Sequence, residues 1–282
     1  MIELSNVTKK YKDIIAIDDI SLTVNSDGIY CLLGRNGAGK TTLMKLISGH
    51  IGLSKGRIVV DNEIVLTSRV PDNVNFIESG SVQFNMKVSD LIDVAASLQD
   101  DFDSGFAREM VKRFDLDLNK KFKQLSFGMK TMLTTIITLA NNSKVILLDE
   151  PTLGFDAIMR DQFNNLLLES YMNNPRIIIV STHLIDEIAK VTQQLLIIDE
   201  GRILLESSID DIDEKAYTIS GATSLVMPIV DGLNCIGQTI IGSVMAAHIY
   251  DHRVDVPNGV SIERMGLQDF FINLVGGKKN VR

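Results

Sequence analysis

The sequence predicts an α/β fold built on a parallel sheet with both faces covered, and three observations point to it. Apolar runs at 29–33, 145–148 and 177–180 are continuous rather than alternating, the pattern of strands buried on both sides. Between such runs lie stretches with apolar residues at helical spacing, as at Val88, Leu91, Ile92, Ala95 and Leu98. The first run leads into a glycine-rich loop and then a helical stretch at 41–48.

The elements follow in order. Residues 2–7 alternate as a short strand, and 14–24 continue in strand character after a polar turn. Residues 56–66 read as a hairpin turned at Asp61-Asn62. A second helix at about 104–114 follows the one beginning at Val88, and the chain to about 140 is mostly helical, so it inserts a helical segment into the α/β domain. The strand at 145–148, a helix at 159–172, the strand at 177–180 and a helix at 184–192 come next. Residues 195–198 and 202–205 form a hairpin around Gly201. An acidic stretch at 208–215 marks a boundary, so 1–213 is expected as one domain and 214–282 as a second, ending in an amphipathic segment at 267–274.

Composition narrows the function classes. The 282 residues are 45% hydrophobic, enough for a sizeable core and against disorder. The formal charge of −8 gives no general attraction to a nucleic-acid backbone, and no nucleic-acid partner is expected. Two cysteines, Cys31 and Cys235, make no disulfide framework, which fits a reducing compartment. No secretory leader is expected from the polar first ten residues. No apolar run reaches the roughly 18 to 20 residues that span a bilayer. The nearest, 235–250, is interrupted by Gln238, Ser243 and His248.

The loop Gly34-Arg35-Asn36-Gly37-Ala38-Gly39-Lys40-Thr41 matches the phosphate-loop pattern. Glycines let consecutive backbone N–H groups turn inward around phosphate oxygens without Cβ clashes. The helix that starts near Lys40 aims its positive end at the same anion. Lys40 brings a charge for the β- and γ-phosphates, Thr41 a hydroxyl for Mg²⁺, and Thr42 follows in the same first turn. ATP with Mg²⁺ is the expected ligand, and hydrolysis the expected reaction.

The strand at 145–148 runs into Asp149-Glu150. Neighbouring strand residues point to opposite sides, so the two carboxylates can take different tasks. Asp149 suits the Mg²⁺ shell and Glu150 suits polarising the attacking water. The strand at 177–180 ends at Ser181-Thr182-His183, and ligands of open α/β sheets gather at such carboxyl ends. His183 can there bond the γ-phosphate or the water, or it can simply start a helix capped by Thr182.

A further motif, Leu125-Ser126-Phe127-Gly128-Met129, stands before an apolar helix upstream of Asp149. With it, residues 1–213 resemble the ATP-binding cassette (ABC) family. The order is Tyr11, the phosphate loop, Leu125 to Met129, Asp149-Glu150-Pro151-Thr152, Asp156 and His183. The resemblance implies a P-loop NTPase fold with a RecA-like core, a helical subdomain at about 86–140 and an antiparallel β subdomain, followed here by a small α+β C-terminal domain at 214–282. It implies that Tyr11 stacks on adenine. It also implies that Ser126 and Gly128 contact the γ-phosphate of ATP held by a second ATP-binding subunit, and that Asp156 links the two sites across a homo- or heterodimer. Phe127 and Met129 depart from the usual signature, which has two adjacent glycines and a glutamine. Glu78 falls where the family has a nucleotide-sensing glutamine, with Gln83 as the alternative.

The resemblance is closest to single-cassette ATPases of bacterial drug and peptide exporters. They are cytoplasmic, sit on the inner face of the cell membrane and drive a separate membrane permease. The permease is expected to dock in a groove lined by 78–86 and the helix at 88–98, where Val82-Gln83-Phe84-Asn85-Met86 carries apolar residues at alternate places; the alternative is that Phe84 and Met86 pack the helical segment onto the core. A non-transport ABC ATPase of an assembly complex is the alternative.

Overall fold

The computed structural model describes residues 1–67, 69–80, 83–183 and 185–277, and the chain forms two compact units, Met1–Glu206 and Ser207–Arg282. The division precedes the expected boundary at 213, because the acidic stretch folds as a helix, Ile209–Lys215, that belongs to the second unit. Val82, expected at a permease contact, and Leu184, expected to open a helix, lie outside the described residues.

The first unit opens with β1 (Ile2–Tyr11), β2 (Ile14–Val24), β3 (Gly28–Leu33), α1 (Lys40–Ile47), β4 (Lys55–Val60), β5 (Glu63–Ile64) and β6 (Val74–Glu78). The helical segment follows as α2 (Val88–Leu98), α3 (Ser104–Arg113), a 3₁₀ turn at Phe122–Gln124 and α4 (Phe127–Ala140). The chain returns through β7 (Val145–Asp149), α5 (Ala157–Asn173), β8 (Ile177–Thr182), α6 (Ile185–Ile188), β9 (Gln194–Asp199) and β10 (Arg202–Ser208).

The central sheet has the order β10-β9-β3-β8-β7-β6. β3, β7 and β8 pair in parallel and every residue in them is buried, the reason their sequences are unbroken apolar runs. A separate antiparallel sheet, β2-β1-β4-β5, turns between β4 and β5 at Asp61 and Asn62, both at positive φ (50° and 67°). Asp and Asn tolerate this conformation, which matches the twist of a tight hairpin. One core joins both sheets, with Leu43, Met44, Leu46 and Ile47 of α1 pressed against Ile2, Ile17, Leu32 and Leu147.

Two expectations need correction. α6 covers only Ile185–Ile188 rather than reaching 192; the chain then turns, with Val191 and Thr192 both donating their N–H to Ile188 O at 3.1 Å. Leu98, expected on the apolar stripe of α2, is 77% exposed because the helix ends there.

In the second unit, α7 (Ile209–Lys215) leads to β11 (Ala216–Ala222), α8 (Thr223–Val230), β12 (Cys235–Ile241), β13 (Val244–Tyr250), β14 (Val260–Arg264) and α9 (Leu267–Gly277). Its antiparallel sheet has the order β12-β13-β11-β14, with a core of Tyr217, Ile219, Val226, Met245, Ala247 and Ile249. The apolar stretch 235–250 is thus a hairpin of two strands. Among the described residues no helix is long and apolar enough to cross a membrane.

Candidate nucleotide site

The phosphate loop spans the end of β3 and the start of α1. Gly37 and Gly39 have φ of +83° and +111°, conformations that L side chains rarely adopt. The two glycines differ in surroundings. A Cβ on Gly39 would stand 2.8 Å from Ala16 O and 2.9 Å from Ile17 Cδ1, so β2 presses on the loop there. A Cβ on Gly37 would meet nothing within 4 Å. Gly34 serves close approach: a Cβ there would lie 2.5 Å from Ile198 O of β9.

Lys40, the first residue of α1, is buried, and its Nζ donates to Gly34 O at 2.8 Å and Arg35 O at 3.4 Å. The ammonium therefore faces into the loop, 3.6 Å from Glu150 Oε1. Thr41 Oγ1 donates to Asp149 Oδ2 at 2.6 Å, and Ser181 Oγ donates to Asp149 Oδ1. Parallel pairing of β7 with β8 puts Asp149 opposite Ser181, and pairing with β6 puts Asp149 opposite Glu78.

Glu150 follows the end of β7 at φ +49°. The separation of the two carboxylates thus comes from a left-handed backbone step, not from the strand alternation expected. Such a conformation in a non-glycine residue costs about 1 to 3 kcal/mol and must be held from outside. Here the Glu150 N–H donates to Ser181 O at 3.2 Å and Oγ at 3.0 Å. Its carbonyl accepts from Ser79 Oγ at 2.7 Å and Leu153 N at 3.1 Å. His183 Nδ1 lies 2.9 Å from Glu150 Oε2, so the carboxylate stands between His183 and Lys40. This contact with Glu150 is a third arrangement, distinct from both options set out for His183.

The other expected residues gather elsewhere. Tyr11 closes β1, half-exposed, with Lys9 Nζ 4.8 Å from its ring centroid; Lys9 also donates to Gly52 O at 2.5 Å. Ser126 caps α4, its Oγ accepting from Met129 N at 3.2 Å. Gly128 is buried, and a Cβ on it would sit 3.1 Å from Gly154 O. Asp156 caps α5 by accepting from Met159 N at 2.8 Å. The start of α4 and the turn before α5 therefore pack together, as a second group beside the one built on Lys40 and Glu150. Glu78 pairs with Lys45 of α1 at 2.9 Å. Glu78 and Gln83 line one small cavity of about 50 Å³ against α4, so both glutamine candidates face the same space.

Sequence reasoning missed Ser181 and Ser79 as parts of the site. The signal for Ser181 was present: it directly follows the apolar run 177–180, and the register of β7 with β8 pairs it with Asp149. Ser79 carried no signal, since its role depends on the left-handed turn at Glu150.

A buried lysine in a glycine loop, a paired hydroxyl and carboxylate, and a glutamate held beside a histidine define a phosphate-loop nucleotide hydrolase. The ABC transporter family model matches residues 17–153. The chain is 30% identical to the uncharacterized ABC transporter ATP-binding protein YhcH of Bacillus subtilis, over 76% of this chain and 73% of that one. It is 29% identical to the ABC transporter ATP-binding protein YtrB of the same organism, over 79% and 77%. Identity to the bacitracin transport ATP-binding protein BcrA of Enterococcus faecalis is 26%, over 98% and 97%. A dimeric post-hydrolysis ATP-binding cassette bound to ADP and phosphate shares the fold, with a TM-score of 0.65 at 22% identity over 74% of this chain and 99% of that one. The chain belongs to the ABC transporter ATP-binding proteins, and it is an ATPase.

Proposed function

We propose that this chain powers a bacterial exporter of antibiotics, peptides or other toxic compounds, working as one of two cassettes beneath a separate membrane permease. The observation that carries the chemistry is the placement of Glu150 between Lys40 and His183, next to a hydroxyl–carboxylate pair. The exporter reading is supported by similarity to a bacitracin transport protein over nearly the whole length of both chains, second unit included.

The residues fit the ligand set. The open space at Gly37 leaves room for phosphate oxygens, while Lys40 turns from the loop carbonyls to the β- and γ-phosphates, with Arg35, Asn36, Ala38 and Gly39 supplying backbone N–H groups and Thr42 backing the first turn of α1. Thr41 and Asp149 offer hard oxygen donors suited to Mg²⁺, which, when bound, neutralises charge on the β- and γ-phosphates. Glu150 accepts a proton from the attacking water as its oxygen bonds to the γ-phosphorus and the bond to ADP breaks. His183 holds the Glu150 carboxylate and reaches toward the γ-phosphate. Tyr11 stacks on adenine with one ring face, the other being engaged by Lys9.

Ser126 and Gly128 serve the nucleotide of a partner cassette from the start of α4, and Asp156 links the two sites. Glu78 takes the sensing place of the family's glutamine. The permease meets the region around Phe84 and α2, which places the chain on the inner face of the membrane. Light scattering of Glu150→Gln with Mg-ATP, alone and co-expressed with any membrane protein encoded beside it, tests this reading. A dimer on nucleotide and a stable complex are expected. A strict monomer that ignores the membrane protein would refute it.

A further inference from the structure

We propose that Phe127 is a positioning residue for Glu150, acting through the two segments that hold the Glu150 carbonyl; the proposal rests on Glu150 being the base. Phe127 is the first residue of α4 and is 45% exposed. Two different edges of the ring face two glycines. A Cβ on Gly154 would stand 2.5 Å from Phe127 Cδ1 and 3.0 Å from Cε1. A Cβ on Gly80 would stand 3.2 Å from Cε2 and 3.6 Å from Cζ. The ring therefore fills the space that side chains at 80 and 154 would need.

Each glycine adjoins a donor to the same acceptor. Gly80 follows Ser79, whose Oγ donates to Glu150 O at 2.7 Å and whose N–H donates to Asp149 O at 3.2 Å. Gly154 follows Leu153, whose N–H donates to Glu150 O at 3.1 Å. Glu150 sits at φ +49°, and these bonds to its carbonyl, with those of its N–H to Ser181, hold it there. Phe127 thus wedges both donors against one carbonyl, and a glycine or alanine in its place would let the two segments drift. It does this within one chain, whatever else its exposed face meets.

The test is steady-state hydrolysis, equilibrium ATP binding and thermal melting of the full chain for Phe127→Ala, Phe127→Leu, Ser79→Ala and the Phe127→Ala/Ser79→Ala double variant. Phe127→Ala should lower kcat about tenfold or more, the scale of a small misplacement of a catalytic group. ATP affinity and melting should stay near wild type, and Phe127→Leu should recover most of the rate. Because both changes loosen one carbonyl, the double variant should be little slower than the worse single one. Wild-type kcat in Phe127→Ala overturns the proposal. So do effects that multiply in the double variant, which would mean that Phe127 acts elsewhere, for instance across a dimer. Undiminished turnover in Glu150→Gln would instead sink the base reading itself.

Discussion

Alanine at Gly37 and alanine at Gly39 separate what the phosphate loop does for the fold from what it does for the ligand. Both residues have positive φ, +83° and +111°. At Gly39 the new methyl would also meet Ala16 O at 2.8 Å and Ile17 Cδ1 at 2.9 Å. Backbone strain of about 1 to 3 kcal/mol then adds to overpacking of about 1 to 3 kcal/mol. For a unit of this size each kcal/mol lowers the melting temperature by about 2 to 4 °C, so Gly39→Ala should melt at least about 4 °C early. At Gly37 nothing lies within 4 Å. Only the left-handed backbone is penalised there, about 1 to 2 kcal/mol, with a loss of about 2 to 8 °C. The methyl instead enters the space assigned to phosphate oxygens. Titration with ATP should show affinity weakened at least about tenfold, equivalent to about 1.4 kcal/mol. Wild-type ATP affinity in Gly37→Ala would show that the open space is not the phosphate cradle.

Two further outcomes follow from buried and half-buried groups. Burial first and the charge of Glu150 second, partly opposed by Lys40, together push the Cys31 thiol from its ordinary 9.0 up to about 12. Between those values the unfolded chain holds fewer protons than the folded one, so this group makes stability fall as pH rises from 9 toward 12. Denaturant unfolding across that range should show a shallower decline in Cys31→Val, and an identical slope would remove Cys31 as a cause. Phe84 is 38% exposed and meets Phe122 edge-on at a centroid distance of 5.4 Å. Phe84→Ala should cost about 1 kcal/mol in the isolated subunit, well below the roughly 3 to 5 kcal/mol of a fully buried phenylalanine. Melting measurements decide, and a loss on the larger scale would make Phe84 a core residue rather than a permease contact.

Local pattern made the core of the site legible. The phosphate loop could be read because its glycines, Lys40 and Thr41 are contiguous and the flanking strand and helix announce themselves by hydrophobicity. Asp149 and Glu150 could be read because β7 is apolar up to the residue before them. What escaped was set by tertiary contacts. The left-handed step at Glu150 depends on Ser79, Ser181 and Leu153, which come from three segments, and no periodicity encodes it. The ring of Phe127 looked like a departure from a glycine pair; its fit between Gly80 and Gly154 exists only once α4 packs on the turn before α5. The length of α6 was overestimated because apolar spacing continues past Ile188, while the backbone turns there. The limit of the second unit shifted because an acidic stretch can be a linker or, as here, a capped helix, Ser208 Oγ accepting from Asp211 N at 3.0 Å.

Turnover of Mg-ATP by wild type and Glu150→Gln, measured beside ATP binding on the same preparations, tests the central claim most directly. Glu150 stands 2.9 Å from His183 and 3.6 Å from Lys40, and the glutamine keeps its size while losing its ability to take a proton. The account predicts ATP affinity close to wild type and turnover lower by about a hundredfold or more, the scale for loss of a general base. Undiminished turnover in the variant would contradict it.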